Sequence, residues 1–247
     1  MSDLQFPNPH PLDAVIWRAL TSTQKGFAEG DARARRYPAA IAPFAATIDS
    51  DPSSFRSLSA LVGGDDRIAL FTTEEVESPS GFTVIRRDSV DQMVLAVANA
   101  RVVQPGAIVA LGAAEVPEML ALAGVTQPGP FGARTIELGG YIGIRRRGML
   151  VAMAGERFRV DGFTEISAVC VGSAYRGHGF AADLVGALAS SISARTEIPF
   201  LHVFSSNHAA IALYRKLGFT LRRRMHLAVL GRVDAGESGA PSQSIGT

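Results

Sequence analysis

The amino-acid sequence predicts an α/β fold in which helices cover a mixed sheet with a β-α-β unit near its centre. In the second half, the apolar patterns follow the order strand, strand, strand, helix, strand, helix, strand. A helix between two neighbouring strands makes them parallel, whereas a short turn makes them antiparallel. With 47% hydrophobic and 19% charged residues, the chain also has enough apolar side chains for a substantial core.

The first part of the chain is predicted to be α+β. Apolar residues at the spacing of one helical face predict a helix near the N-terminus: Leu12, Val15, Ile16, Ala19 and Leu20. A second helix is predicted after Pro52, with Ser53 or Ser54 as its cap, Gly63 at its end, and an apolar stripe made of Phe55, Leu58, Leu61 and Val62. Strands are predicted at residues 67–72, 81–86 and 92–97, and a short helix at 116–122 precedes an irregular loop at 124–132.

The second part alternates strands and helices. Strands are predicted at residues 141–145, 149–154 and 163–171, and Arg146-Arg147-Gly148 suits a hairpin turn between the first two. A core-facing stripe predicts a helix at residues 180–194: Phe180, Leu184, Leu188 and Ile192. A strand at 200–204, a helix at 207–217 closed by Gly218, and one long strand at 219–230 complete this part.

The composition argues against several classes of function. Because the formal net charge is +1, no overall field draws the protein to nucleic acid or an anionic membrane, and neither is expected as a partner. Cys170 is the only cysteine, which excludes an internal disulfide and leaves too few thiolates for a structural zinc site, so no metal is expected. Since no apolar run reaches roughly 18 residues and the first residues lack a signal-peptide pattern, we expect a cytoplasmic protein.

Arginines cluster at residues 33–36, 145–147 and 222–224. Each cluster could attract an anionic ligand, but runs of charge usually form solvated surface. We therefore expect all three clusters at the surface of the protein.

The segment that carries the most chemical information runs from Val169 to Ala182. It is a strand that passes through a glycine-bearing loop directly into a helix. Such a junction gathers unpaired backbone N–H groups at the positive end of a helix dipole, which predicts an anion site. Gly177 and Gly179 leave room where the backbone must approach a phosphate closely.

Two kinds of nucleotide loop fit this segment poorly. An NTPase phosphate loop would need Gly-Lys-Ser or Gly-Lys-Thr, where this sequence has Gly-Phe-Ala. The dinucleotide fingerprint is matched by Gly177, Gly179 and Ala182, but its acidic partner should end the next strand, which is followed by Ser205-Ser206-Asn207. A nucleotide-binding oxidoreductase is therefore disfavoured.

The run Arg176-Gly177-His178-Gly179-Phe180-Ala181 resembles the R-x-x-G-x-A loop of the GNAT N-acetyltransferase superfamily. The resemblance continues in residues 165–169, similar to the family's fourth strand, and in residues 207–219, similar to its later motif. It covers about residues 131–230, and the details look most like the glycine N-acyltransferase-like branch. Many members of the family have a hairpin where this chain has one long strand after Gly218, so the resemblance assigns neither a seventh strand nor the part of the acceptor pocket that it would form.

The resemblance implies a set of coenzyme-binding residues. Backbone contacts with the pantetheine arm fall to Val169, Cys170 and Val171. Contacts with the pyrophosphate fall to Arg176, Gly177, His178, Gly179, Phe180 and Ala181. Asn207 would contact the coenzyme, and Tyr214 would lie close to the thioester sulfur.

Acyl transfer to an amine needs a proton acceptor for the amine and a proton donor for the departing thiolate. Tyr214 is the predicted donor, and packing on an amphipathic helix is its alternative role. Glu165, which alternation places on the same strand face as Ser167 and Val169, is the predicted base, either directly or through water. His202 is the second candidate base. Cys170 is predicted to face the opposite side and to serve in packing rather than as a nucleophile.

The sequence thus predicts an N-acetyltransferase that moves an acetyl or small acyl group from acetyl-CoA, its cosubstrate, to a primary amine in a ternary complex. A non-catalytic acyl-CoA sensor or regulatory module is the alternative. The expected acceptor is a small-molecule amine or amino acid, with a protein amine as the second choice, and the oligomeric state stays open.

Three parts of the chain are predicted. Residues 1–110 form an N-terminal α+β region that shapes the acceptor site and is a candidate for a degenerate half-copy of the same fold. Residues 111–231 form the GNAT-like catalytic domain. Residues 232–247, rich in Gly, Ser and Pro, form a disordered tail.

Overall fold

A computed structural model describes residues 10–77, 79–96 and 108–233 of the chain. Its helices are α1 (Val15–Thr21), α2 (Pro52–Leu61), α3 (Val116–Thr126), α4 (Phe180–Ala194) and α5 (His208–Lys216). Its strands are β1 (Glu29–Gly30), β2 (Ala34–Arg36), β3 (Ala45–Thr47), β4 (Arg67–Thr72), β5 (Phe82–Leu95), β6 (Val109–Leu111), β7 (Tyr141–Arg146), β8 (Met149–Val160), β9 (Phe163–Val171), β10 (Ile198–Phe204) and β11 (Phe219–Arg232).

Eight of these strands form one sheet in the order β4-β11-β5-β10-β9-β8-β7-β6. Strands β9 and β10 are parallel, as predicted from the helix α4 that joins them. The other neighbours in this sheet are antiparallel. The predicted mixed sheet with a central β-α-β unit is therefore confirmed.

The N-terminal half contributes the strand that lies between β10 and β11. This strand, β5, was predicted as two strands at residues 81–86 and 92–97, and that prediction is wrong. The polar run Arg86-Arg87-Asp88 interrupts the apolar pattern, but its residues pair with Leu227, Ala228 and Val229 of β11 and continue the strand. The single long strand after Gly218 is confirmed, and β5 pairs along its length on one side while β4 pairs on the other.

Helices cover both faces of the central sheet. Adjacent residues of a strand point to opposite faces: Leu201 packs in the cluster formed with α4 and α5, whereas Phe200 packs in the cluster formed with α1. Helix α3 lies on the same face as α1, where it contacts Met153 and Cys170. The predicted stripes of α1 and α4 are buried, which confirms both helices.

The N-terminal region also builds a small antiparallel sheet of β1, β2 and β3. A bridge between Phe44 and Ala69 joins its end to β4. Helix α2 follows β3 and confirms the predicted second helix, but it begins at Pro52 itself rather than after it, and the predicted serine cap is wrong. Asp51 is the N-cap, and Ser54 lies inside the first turn, where its hydroxyl donates to Asp49 Oδ1 at 2.6 Å.

The hairpin between β7 and β8 confirms the predicted turn. Arg147 and Gly148 have φ angles of 51° and 80°, the pair of positive values that a tight two-residue hairpin requires. Strand β8 is longer than the predicted 149–154 because it continues through Gly155, Glu156 and Arg157. Those polar side chains ended the apolar pattern, yet Glu156 and Arg157 are buried in ion pairs.

Two predictions fall outside the described residues: the tail, apart from its first two residues, and the end of the predicted strand at Val97. Among the helices that the structure describes, none is long and apolar enough to span a membrane.

Candidate active site

The central parallel strands separate along their length. Residues 198–200 of β10 pair with residues 163–165 of β9, and both strands continue beyond this register. In the described residues, no further pair joins β9 to β10 after Glu165 and Phe200. The two facing edges therefore leave backbone donors and acceptors for a ligand, and Val169, Cys170 and Val171 lie on one of these edges.

A bulge in β9 lies at the point of separation. Ala168 has a φ angle of 53°, and the pairing with β8 shifts register between Ser167 and Cys170. The bulge reverses the alternation of side chains, so Val169 packs on the α4 face and Cys170 packs under α3.

This bulge corrects two predicted orientations. Cys170 does not lie opposite Glu165, and Val169 does not share the face of Glu165, because strict alternation fails at Ala168. Burial raises the pKa of the Cys170 thiol, which agrees with the predicted packing role.

The loop between β9 and α4 has the geometry of an anion site. Gly177 and Gly179 have φ angles of 81° and 82°, a conformation that costs glycine little and other residues more. Gly179 is the N-cap of α4 and has no side chain to bond the first-turn amides. Those N–H groups, including the ones of Phe180 and Ala181, are left for a ligand at the positive end of the helix.

Side chains around the loop add positive charge. Arg176 is exposed, and the His178 ring folds back so that Nδ1 lies 3.0 Å from the Arg176 carbonyl oxygen. Arg146, from the β7–β8 hairpin, places its guanidinium carbon 4.7 Å from the centroid of the Phe180 ring. Sequence reasoning did not assign Arg146 to this site. Its membership of an arginine cluster was the available signal, and only the fold brings the hairpin to the loop.

Tyr214 and Asn207 lie on or beside α5. Tyr214 is buried in the α4–α5 cluster together with Val169, Val171 and Phe180, and its ring packs edge-on against Phe219. Burial raises the pKa of Tyr214 to about 12, so the hydroxyl keeps its proton at neutral pH. Asn207 is the N-cap of α5, where its side-chain oxygen accepts from the Ala210 amide at 3.1 Å.

Glu165 is completely buried and fully bonded. Arg157 donates to it from Nε and Nη2 at 2.7 and 2.6 Å, and the His202 Nδ1 atom lies 2.7 Å from Oε1. The Phe158 amide donates to Oε2 at 3.3 Å. Burial alone would raise the pKa of Glu165, but the charge of Arg157 and the hydrogen bonds from Arg157 and His202 outweigh it and hold the pKa at about 2.

His202 is held in one tautomer by its neighbours. Arg222 donates to Gln92 Oε1 at 2.6 Å, which orients the amide so that Gln92 Nε2 donates to the Leu12 carbonyl and faces His202 Nε2 at 3.0 Å. His202 Nε2 therefore accepts a hydrogen bond, and Nδ1 donates to Glu165. Neither candidate base presents a free lone pair to a substrate in this arrangement, because the network uses both groups.

Comparisons with known proteins agree with this architecture. The model of the FR47-like protein family matches residues 141–227. The structure is similar to an acetyltransferase of the GNAT family from Novosphingobium aromaticivorans, with 39% identity, a TM-score of 0.84, and coverage of 91% of this chain and 100% of that chain. It is also similar in fold to a GCN5-related N-acetyltransferase from Kribbella flavida, with 17% identity, a TM-score of 0.57, and coverage of 90% and 96%. No curated protein gives a significant match.

Proposed function

Because this chain belongs to the GNAT family of acetyltransferases, we propose that it moves an acetyl or small acyl group from acetyl-CoA to a primary amine. The observation that carries the proposal is the open edge between β9 and β10, which leads to the uncapped N-terminus of α4. An extended polar chain can bond along the strand edge while its phosphates meet the helix amides. The arrangement suits the pantetheine arm and the pyrophosphate of a coenzyme A molecule.

The residues present fit this cosubstrate. The first-turn amides of α4, with Arg176 and Arg146 nearby, match the charge of a pyrophosphate. Val169, Cys170 and Val171 supply backbone groups on the open edge of β9. Acetyl-CoA brings the activated thioester, and the protein supplies binding, orientation and proton transfer.

Tyr214 is the proposed proton donor for the departing thiolate, since its hydroxyl stays protonated at neutral pH. The amine attacks directly in a ternary complex and must arrive neutral. Because Glu165 and His202 are bonded to each other and to Arg157 and Gln92, we propose that water takes the proton of the amine. The buried network then acts by holding β9 and β10 at the point where they separate.

One observation favours the alternative of an acyl-CoA sensor or regulatory module. The two candidate bases, Glu165 and His202, bond to each other and to Arg157 inside the protein. This is expected of a binding protein, which needs no base. Turnover with any amine separates the two functions. The acceptor is proposed to be a small-molecule amine or amino acid, and membership of the glycine N-acyltransferase-like branch stays a prediction.

Substitution of Ala181 tests the position of the coenzyme. Ala181→Glu adds a negative charge in the first turn of α4, where it favours the helix itself but repels a pyrophosphate. Ala181→Gln adds a side chain of the same size without the charge. We expect the Glu variant to lose acetyl-CoA affinity by about tenfold or more relative to the Gln variant in calorimetry.

The reaction itself is tested by incubating a panel of amines with acetyl-CoA and measuring the free coenzyme A that each amine releases. Equal affinity of the two Ala181 variants would place the coenzyme elsewhere. Tight acetyl-CoA binding with no turnover on any amine would support the regulatory alternative.

A further inference from the structure

The hydroxyl of Tyr141 has no hydrogen-bond partner in the described part of the chain, although Tyr141 is only 3% exposed. Tyr141 begins β7, and its ring packs edge-on against Phe131 in the cluster under α3. Burial of a polar group without a partner is costly in free energy. An unpaired buried hydroxyl therefore indicates that a molecule other than the protein completes its hydrogen bonds.

The ring of Tyr141 lies across β8 and directs the hydroxyl towards β9. Tyr141 pairs with Gly155 of β8, and Gly155 pairs in turn with Ser167 of β9. A β-carbon at Gly155 would collide with Cδ1 and Cε1 of the Tyr141 ring, so glycine gives the ring the room to cross the strand. The hydroxyl, at the far end of the ring, thus lies on the side of β8 where Ser167 is found.

The charges around the hydroxyl agree with this direction. Burial raises the pKa of Tyr141, and the nearby charges of Arg157 and Glu165 also act on it, the first lowering and the second raising it. The hydroxyl therefore keeps its proton at neutral pH and can donate a hydrogen bond. Glu165 does not accept this bond, because both of its carboxylate oxygens are bonded to Arg157 and one of them also to His202.

Ser167 lies beside the open edge of β9, directly before the bulge at Ala168 and two residues after the last pair with β10. Since cross-strand partners share a face, Ser167 lies on the α3 face together with Tyr141. Helices α4 and α5 and the ring of Tyr214 fill the opposite face. If the coenzyme lies at the N-terminus of α4 as proposed, the amine therefore reaches the thioester from the α3 face. Ser167 is half-buried, so solvent still reaches this place.

We propose that Tyr141 and Ser167 hold a water molecule at this place and that, if the proposed function is correct, this water takes the proton of the amine. Tyr141 donates to the water oxygen, and Ser167 accepts from the water. The register shift beside Ser167 also leaves backbone groups of β9 without a partner on β8. Together these groups supply the roughly two to four polar partners that a buried water needs. Tyr141 is thus a positioning residue, since it acts through the water.

In the proposed step, the proton that the nitrogen releases is balanced by the proton that the sulfur gains. The amine nitrogen forms a bond with the carbonyl carbon, and the water takes a proton from that nitrogen. The carbon–sulfur bond then breaks, and Tyr214 gives its proton to the sulfur. The water passes its extra proton to solvent beside the half-buried Ser167, and solvent returns a proton to Tyr214 after the products leave. The proton donor and the proton acceptor thus lie on opposite faces of the sheet.

Tyr141→Phe tests the water site without any substrate. Removal of a dry hydroxyl would end the cost of burying it and raise the unfolding temperature, whereas removal of a hydroxyl bonded to a water loses a hydrogen bond. The matched control is Tyr37→Phe, which loses the bond from a buried hydroxyl to Gln24 at 2.7 Å. We expect both variants to unfold at a lower temperature. An unchanged or raised unfolding temperature for Tyr141→Phe, or a crystal structure without a water within about 3.2 Å of the hydroxyl, would overturn the site.

Two amines of similar shape and different basicity, such as ethylamine and trifluoroethylamine, test the catalytic role. The more basic nitrogen holds its proton more firmly after attack and depends more on the water. We expect Tyr141→Phe to lower kcat roughly tenfold or more with ethylamine and only a few-fold with the weaker base, with KM for acetyl-CoA unchanged. Tyr37→Phe should affect both amines equally.

Equal losses with both amines in Tyr141→Phe would refute the proton role of the water and leave the proposed function intact. Absence of turnover with every amine in the unmodified protein would refute the proposed function and this role together. The water site itself would then still be decided by the crystal structure and the unfolding temperatures.

Discussion

Glu165 illustrates how a fold decides the role of a single carboxylate. Its position before the predicted coenzyme-contacting end of β9 suggested a base, but the side chain is completely buried between Arg157 and His202. A buried charge must be paired to be tolerated. The pairing that permits burial also lowers the pKa of the carboxyl to about 2, which makes it a poor proton acceptor.

Glu165→Gln is therefore expected to affect stability more than proton transfer. Removing one partner leaves the buried Arg157 charge uncompensated, which costs roughly 3 kcal/mol or more at neutral pH. Because the folded pKa lies below the ordinary value of 4.5, the stabilisation is complete above pH 4.5 and is lost as the pH falls towards 2. Urea unfolding measured between pH 4.5 and pH 2 should show that the free energy of unfolding falls more steeply with decreasing pH in the unmodified protein than in the variant.

Glu118→Gln is the matched control, since Glu118 pairs with Arg145 at the surface. It should change stability little. If Glu165→Gln matched this control in stability but abolished turnover, Glu165 would be the base after all.

Tyr214→Phe tests the proton donor. The variant keeps the ring that packs against Phe219 and removes the hydroxyl. Acetyl-CoA affinity should persist, while kcat falls by roughly 10² to 10⁴, the usual effect of losing a positioned acid. Tyr175→Phe, which removes a hydroxyl beside the coenzyme loop, should retain turnover. Full activity of Tyr214→Phe under conditions where chemistry limits the rate would leave Tyr214 a packing residue.

At the scale of elements, strand β9 depends on its bulge. Ala168 adopts a left-handed conformation with a φ angle of 53°, which is unfavourable for a residue with a β-carbon. The bulge turns Val169 towards the α4 face and Cys170 under α3. The bulge lies just beyond the last pair between β9 and β10. The left-handed residue is therefore found where the edge of β9 becomes open.

Two substitutions at Ala168 should act in opposite directions. Ala168→Gly relieves the left-handed strain and should keep or raise the unfolding temperature, although glycine also gains entropy in the unfolded chain. Ala168→Val places a β-branched residue in this conformation and should lose roughly 1 to 3 kcal/mol, together with acetyl-CoA affinity. Thermal unfolding measures the change in stability, and calorimetry measures the acetyl-CoA affinity of each variant. Equal tolerance of glycine and valine would show that the bulge needs no left-handed residue.

At the scale of the whole molecule, the two halves share one sheet. The coenzyme-contacting residues predicted from the sequence all come after residue 168, and this assignment and the division at residue 110 stay predictions. The sheet does not break at that division, however, because β5 pairs with β10 on one side and β11 on the other. We therefore expect folding of the predicted coenzyme site to depend on a strand from the first half.

A fragment of residues 108–233 tests this dependence. Without β4 and β5, β11 loses both of its partners and β10 loses one. We expect the fragment to lack the near-ultraviolet circular dichroism of packed aromatic residues and to bind acetyl-CoA at least about tenfold more weakly. A fragment that bound acetyl-CoA as tightly as the full chain would show that the second half folds independently.

Local patterns were enough for most of the elements and for the loop that is predicted to bind the coenzyme. Three features depend only on residues close in sequence: the stripe of α4, the turn at Arg147-Gly148 and the glycines before Phe180. Side-chain periodicity and backbone preferences act within a few residues, so the local sequence predicts them. The Arg176–Ala181 motif lies at a strand-to-helix junction for the same reason. The sequence by itself therefore determined the fold class and the predicted place of the coenzyme.

Only the tertiary structure decided which distant groups meet. Three contacts join residues that are far apart in sequence: β5 lies between β10 and β11, Arg146 approaches Phe180, and Glu165 pairs with His202. The energies of these contacts depend on burial and on the register between distant strands. Neither burial nor register produces a periodic pattern in the local sequence. A carboxylate that a sequence presents as a base can thus become part of a structural network once the fold removes it from water.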